Sequence, residues 1–490
     1  MNILSLFVAV PVLMLLSLFI CRSMKQIRAV MVSGASVLMV LAAVLAAMFV
    51  SERAASDSEM LFTDSIVWYE SMNIHYAVGV DGISVLMIAL SAIIVFTGVF
   101  SSWNMPREYF MWYCLLSVGV FGFFISLDLF SMFLFYEVAL IPMYLLIGVW
   151  GTGRKEYSAM KLTLMLMAGS AFLLTAILGI YFTSGHASMN IIELAGRTIP
   201  MAHQYWIFPM AFLGFGVLGA LFPFHTWSPD GHASAPTAVS MLHAGVLMKL
   251  GGYGCFRVAI YLMPEAAHDL SWIFLILTGI SVVYGAFGAV VQTDLKYINA
   301  YSSVSHCGLV LFAILMLNRT AMTGAILQML SHGLMTALFF ALIGLIYGRT
   351  HTRDIREMGG LMKIMPFASV CYVIAGLASL GLPGLSGFVA EMTVFIGSFE
   401  HADLFHRVLT IAATCSIVIT AVYILRTVGK ILYGPVVNEH HLSLPDASWY
   451  EKISVVVLIA GIVFIGVLPS TVSEIVSNSL APIIKYLSLL

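Results

Sequence analysis

The sequence predicts an all-α polytopic membrane protein of about 14 transmembrane helices, with inverted five-helix repeats and two broken helices. Three observations carry that prediction. Hydrophobic residues fill 61% of the 490 positions and charged residues only 9%, with a mean hydropathy of +1.01. A soluble domain carries roughly 25% charged residues, so most of this surface belongs in lipid. Apolar runs near the length of a bilayer crossing, about 20 residues, recur along the whole chain, and two of them hold Pro and Gly clusters in mid-course.

The runs place helices at 2–21, 29–50, 79–102, 109–127, 129–150, 161–184, 206–224, 236–263, 272–292, 298–317, 321–347, 366–400, 406–429 and 453–468. The first run is followed by basic residues rather than by a small-residue cleavage site, so it reads as a span and not as a signal peptide. Arg22, Lys25 and Arg28 mark a cytoplasmic loop by the positive-inside rule. Alternate loops repeat the signal with Arg107; Arg154 and Lys155; Lys296; Arg349, Arg353, Arg356 and Lys363; Arg426 and Lys430. The other loops are acidic or neutral, with Asp57, Glu59, Asp64 and Glu70 in the longest. Both termini are therefore expected on the outer, periplasmic side of a cell inner membrane.

The 366–400 run is long enough for two spans, but the charge alternation between Lys363 and Arg426 permits one crossing only. Its middle, Gly381-Leu382-Pro383-Gly384-Leu385-Ser386-Gly387, predicts a break, because Pro removes a backbone donor and Gly weakens a helix. Pro223, Pro229, Gly231 and Pro236 interrupt 206–263 in the same way. Breaks five spans apart predict a repeat whose second copy is flipped, as in many transporters. The single membrane domain, 1–490, then divides into halves at about 109–264 and 272–430.

Net charge is −2, which excludes a nucleic-acid binder. Cys21, Cys114, Cys255, Cys307, Cys371 and Cys415 are scattered, and iron–sulfur clusters and structural zinc need grouped thiolates. No metal or cofactor site is expected in this chain. No nucleotide loop or nucleophile elbow appears, so a standalone enzyme and a catalytic residue of its own are not expected.

Ionisable residues inside the apolar runs are the functional candidates, since a charge at mid-bilayer costs at least about 2.5 kcal/mol. Glu137 lies about nine residues into a span and reads as a proton or cation site. Glu391 follows the second break, where unwound backbone suits such a site. Lys249 lies in a run where a nearby carboxylate could tune it, with snorkelling as the structural alternative. His225, His243, His306 and His332 lie in or beside apolar runs, where imidazoles can relay protons or simply be hydrogen-bonded. Asp81 and Asp128 stand at helix starts, where capping is the ordinary role. Arg257 needs an anion or an interface, and Asp294 with Lys296, at a helix junction, is either a cap or salt bridge or a functional pair. His440-His441 reads as exposed and without function.

Several of these stretches resemble the antiporter-like membrane subunits of respiratory complex I. The matching motifs are Gly79-Val80-Asp81-Gly82-Ile83-Ser84; Tyr136-Glu137 with Pro142-Met143-Tyr144; and Phe224-His225-Thr226-Trp227-Ser228-Pro229-Asp230 with Ala235-Pro236-Thr237. Two further runs match: Gln292-Thr293-Asp294-Leu295-Lys296 with Ala300-Tyr301-Ser302-Ser303-Val304-Ser305-His306, and His351-Thr352-Arg353-Asp354 with Met358-Gly359-Gly360. The likeness covers roughly residues 75–435. Among the homologous subunits L, M and N it favours the M type, which carries Glu where L and N carry Lys at the position of Glu391, and lacks the long lateral helix of L.

The resemblance implies a proton-translocating subunit of a redox-driven NADH-quinone oxidoreductase, neighboured by subunits L and N. NADH, FMN, iron–sulfur clusters and quinone would sit in other subunits. It implies that Glu137 gates a partner lysine, that Lys249 is the central lysine, that His306 and His332 join two half-channels, and that Glu391 is the terminal site. The family's usual seventh-helix lysine is replaced by Leu218, which leaves Lys249 or His225 as partner of Glu137, or an altered first half-channel. Rival readings are a subunit of a multi-subunit Na⁺/H⁺ antiporter, a membrane-bound hydrogenase or formate-linked relative, and a purely structural scaffold.

Overall fold

The computed structural model describes residues 2–56, 58–185, 188–196 and 199–488. Helices come in the order α1 (Ile3–Ile20), α2 (Met24–Arg53), α3 (Gly82–Ser101), α4 (Arg107–Ile125), α5 (Leu129–Trp150), α6 (Lys155–Thr183), α7 (Ile191–Ala195), α8 (Met201–Leu218), α9 (Trp227–Ser234), α10 (Thr237–Leu242) and α11 (Met248–Gly254). They continue with α12 (Pro264–Val291), α13 (Leu295–Leu315), α14 (Arg319–Thr350), α15 (Leu361–Ile364), α16 (Pro366–Ser379), α17 (Ser386–Phe399), α18 (Leu404–Leu432), α19 (Trp449–Val467), α20 (Pro469–Ser479) and α21 (Ala481–Leu487). Among the described residues, 11 helices are single rods long and apolar enough to cross a membrane. The runs at 206–263 and 366–400 are instead built from shorter pieces. An antiparallel hairpin, β1 (Leu61–Tyr69) and β2 (Ile74–Val80), lies between α2 and α3; the sequence reading placed Gly79 and Val80 in a helix.

Helix starts follow local chemistry. The side chains of Asp81, Asp128 and Asp294 accept backbone N–H groups in the first turns of α3, α5 and α13, which satisfies donors that have no helical partner. Successive crossings put Asn2, α21, the hairpin, Asp81 and Asp128 at one face of the bundle, where Asn2 donates to Phe62 O, the His75 N–H reaches Asp128 and Tyr486 packs on Tyr261. The opposite, basic face holds Arg28, Lys155, Lys296 and Arg353. The tail helix α20 closes back on the first face, where Ser479 Oγ accepts the Gly82 N–H at 2.9 Å and Ser477 Oγ accepts Arg319 Nε at 2.9 Å. α13 and α14 form the centre; in α1, α2, α18 and α19 only a third or less of the spanning residues are buried, as in lipid- or partner-facing helices.

Both breaks end their first half-helix with the same cap. In α16, Gly381 is left-handed at φ +65, its N–H reaches Ala378 O, and the Leu382 N–H reaches Leu377 O at 3.1 Å. In α8, Ala220 takes the left-handed place at φ +57, with Ala220 N–H on Val217 O and Leu221 N–H on Gly216 O at 2.8 Å. This pairing of bonds is the Schellman stop. Pro223 and Pro383 follow within three residues and forbid immediate resumption. Trp227 then bridges the first gap, donating Nε1–H to Val217 O at 3.0 Å. The run 237–260 does not break, but it is widened by π-helical turns at His243–Leu247 and Cys255–Ile260.

Candidate functional site: a buried line of titratable side chains

The central group is Lys249, 1% exposed, on α11 between the two π turns. The first turn displaces the ladder, so that Ala244 O accepts Lys249 Nζ at 2.6 Å. π turns inside α-helices are frequent at functional sites. On its other side, Nζ lies 2.6 Å from Nδ1 of His332 on α14.

From His332 the line continues along two neighbouring helices. Its ring centroid is 5.3 Å from that of His306 on α13. His306 Nδ1 contacts Gln328 Nε2 at 3.0 Å and lies 3.6 Å from Oε1 of Glu391 on α17. All four titratable groups are at most 7% exposed. Glu391 leans on the unwound segment: a Cβ at Gly381 would stand 2.9 Å from its Oε2. The break therefore gives the carboxylate room beside polar backbone, and Ser331 on α14 holds the start of α17 through Ser386 at 2.8 Å.

A branch runs towards the basic face. His332 Nε2 meets Ser303 Oγ at 3.2 Å, Ser303 meets Thr336 Oγ1 at 3.2 Å, and Asn299 donates to Thr336 at 3.3 Å. One turn below Asn299 is Lys296, 4% exposed, with Nζ on Ala235 O at 2.6 Å. Beside it Asp230 takes Lys161 Nζ at 2.7 Å and the Tyr297 hydroxyl at 2.9 Å. The sequence reading left Lys296 between a cap or salt bridge and a functional role, and it passed over Lys161 and the fully buried His232. The His232 ring lies 4.2 Å from that of His243.

Lys249, His332, His306 and Glu391 are thus brought together. Glu137 and His225 are not part of that line. Glu137 is half-buried on α5, its Oε1 has no hydrogen-bond partner, and among the described residues it makes no ion pair. His225 sits in the first break between Phe222 and Tyr284, with ring centroids at 5.5 and 4.9 Å. Leu218 is the buried last residue of α8. Asp128 is a helix cap, as its position predicts. Asp81 caps α3 and also forms a buried ion pair with Arg257, the anion that arginine requires. His440 is exposed, whereas its neighbour His441 is 4% exposed.

Residues 126–420 match the family model described as NADH:quinone oxidoreductase/Mrp antiporter, transmembrane. The NADH-quinone oxidoreductase subunit M of Rickettsia conorii is 33% identical over 480 residues, covering 97% of each chain. The chain belongs to this family. The subunit M of Rhodobacter capsulatus is 34% identical over 442 residues, covering 87% of this chain and 85% of that one. A chain of respiratory complex I from Thermus thermophilus with bound NADH superposes with TM-score 0.90 at 25% identity, covering 99% of both chains. A chain of the Mrp complex from Dietzia superposes with TM-score 0.87 at 18% identity, covering 99% and 98%, a likeness of fold. Membership fits the M-type resemblance and the two broken spans.

Proposed function

We propose that this chain is a membrane-arm subunit of a proton-pumping NADH-quinone oxidoreductase and that it moves protons through Lys249, His332, His306 and Glu391. The observation that supports the reading is the succession of those four buried groups across α11, α14, α13 and α17, with Lys249 Nζ 2.6 Å from His332, the two imidazole centroids 5.3 Å apart and His306 3.6 Å from Glu391. Each can take or give a proton, and each hands on to the next within side-chain reach. Carrying one charge against 100 mV costs about 2.3 kcal/mol, a load that charge shifts along the membrane axis can supply. Electron transfer and its cofactors (NADH, FMN, iron–sulfur clusters and quinone) belong to other subunits, and the six scattered cysteines suit that division. The neighbours would be subunits L and N, the membrane a bacterial inner membrane, and both termini periplasmic, following the basic loops.

The matching Schellman stops at Ala220 and Gly381 support an inverted repeat of about 109–264 and 272–430. In that scheme the Ser303–Thr336–Asn299 branch leads protons from Lys296 at the basic face, and Glu391 releases them towards the other face. Glu137 would be the control point of the first half. It stands on the side of α5 that carries Leu134 and Ile141, 37% and 57% exposed. A carboxylate there cannot face lipid at low cost, so it suits contact with a neighbouring subunit. His225 would serve the first break.

The direct test uses vesicles holding the native assembly. NADH should acidify or alkalise the lumen in a way that a protonophore discharges at once. A primary sodium gradient, with protons following passively, would favour the antiporter reading. Within the same assay Glu137→Gln should lower the protons moved per NADH several-fold while the assembly forms normally; an unchanged ratio would remove Glu137 from the pathway.

A further inference from the structure

The six residues His401-Ala402-Asp403-Leu404-Phe405-His406 run from the link after α17 into the first turn of α18, and they carry two imidazoles and a carboxylate that proton transfer does not use. One ligand atom from each of His401, Asp403 and His406 lies within 4.8 Å of the others. Asp403 is fixed as the N-cap of α18, where it accepts the His406 backbone N–H at 3.0 Å. His406 comes one turn later, so its Nδ1 stands 2.8 Å from both carboxylate oxygens. The His401 ring lies face to face with that of His406, with centroids 4.3 Å apart and planes 14° apart.

The tautomer of His401 is set from behind. Its Nε2 is 2.8 Å from Met316 O, the C-cap carbonyl of α13. A carbonyl only accepts, so in the neutral ring Nε2 carries the proton and Nδ1 keeps its lone pair. By the same rule His406 Nδ1 donates to the Asp403 carboxylate, and a cation bound at that nitrogen would release this proton to water. Metal-binding histidines are oriented in this way, with the second ring nitrogen donating to a backbone carbonyl. A helix cap and an i,i+3 ion pair account for Asp403 and His406. They give no reason for a second imidazole stacked on the first and anchored to another helix. Two imidazoles and one carboxylate are the donor set of open zinc-type sites, with bonds of about 2.0–2.2 Å. Two ligands on a tetrahedral ion at that range stand roughly 3.4 Å apart, which side-chain rotation here can reach. Asp403 is 52% exposed and His406 21%, so water can complete the coordination.

We propose that His401, Asp403 and His406 form a binding site for a first-row divalent transition cation of the zinc type, completed by water, at the connection between α17 and α18. Bound metal would lock together the ends of α17, α18 and, through Met316, α13. It would thereby stiffen the helices that carry Glu391 and His306. The binding itself is independent of the proton-transfer reading.

The test is metal retention by the intact purified assembly. Native assembly and His406→Gln assembly are loaded with Zn²⁺, passed through gel filtration and analysed for metal, and Co²⁺ is used in parallel as a coloured probe. Native protein should keep one more zinc per chain than the variant and show visible cobalt bands that the variant lacks, with affinity falling at least about tenfold. Asp403→Asn keeps the cap and should lose the zinc likewise. Equal zinc in native and both variant assemblies, or none in any, overturns the proposal.

Discussion

Lys249→Met should slow proton transfer through this chain about a hundredfold in an assembly that still forms, and Lys249→Arg should not restore it. A positioned proton donor or acceptor contributes roughly 10²–10⁴-fold to a transfer step, and Lys249 is the group through which Ala244 and His332 are linked. Methionine fills the same volume without leaving an isolated charge, so stability should hold. Arginine keeps the positive charge but does not give up its proton in a protein. If charge alone mattered, Arg would rescue; if release matters, it fails. Protons moved per NADH in vesicles, beside the amount of assembled complex, separate these outcomes. Full pumping by Lys249→Met would exclude the lysine as a carrier.

Arg257→Ala should be the most destabilising change. It strands Asp81, 1% exposed, without its counter-charge. Breaking a buried pair from one side costs about 3–5 kcal/mol, whereas replacing both partners with neutral groups of similar shape costs little. Yield and thermal stability of the assembly should therefore fall sharply with Arg257→Ala. They should recover in the double variant Arg257→Met with Asp81→Asn. Arg257 is eight residues beyond Lys249, about 12 Å along the helix, and outside the contact line. The double variant should pump normally. Recovered stability without pumping would place the pair on the proton path.

The spans were legible because lipid imposes one strong rule, a long apolar stretch per crossing, and the rule survives without any tertiary information. Both breaks were legible for a similar reason: Pro223 and Pro383 act on the backbone locally. The hairpin was not, since β1 lies in a loop that reads as polar and β2 runs straight into the apolar start of α3. The π turns around Lys249 left no mark either, because they depend on which carbonyl each N–H selects, not on composition. Pairs distant in sequence, such as Asp81 with Arg257 and Lys161 with Asp230, required the fold. His232 was hidden by its setting among Asp230, Gly231 and Ser234, which reads as a polar loop although the ring is fully buried. Lys249, His306, His332 and Glu391 stood out singly as ionisable residues in apolar runs. Their order of contact came from packing α14 against α13 and α17.

The ratio of protons moved to NADH oxidised, measured in vesicles with the Glu391→Gln assembly, probes the line most directly. Glutamine preserves the size of the side chain and its ability to hydrogen-bond but cannot hold and release a proton. The account predicts a ratio well below that of native assembly, with the complex intact and its cofactors in place. A native ratio in a fully assembled Glu391→Gln complex would contradict it.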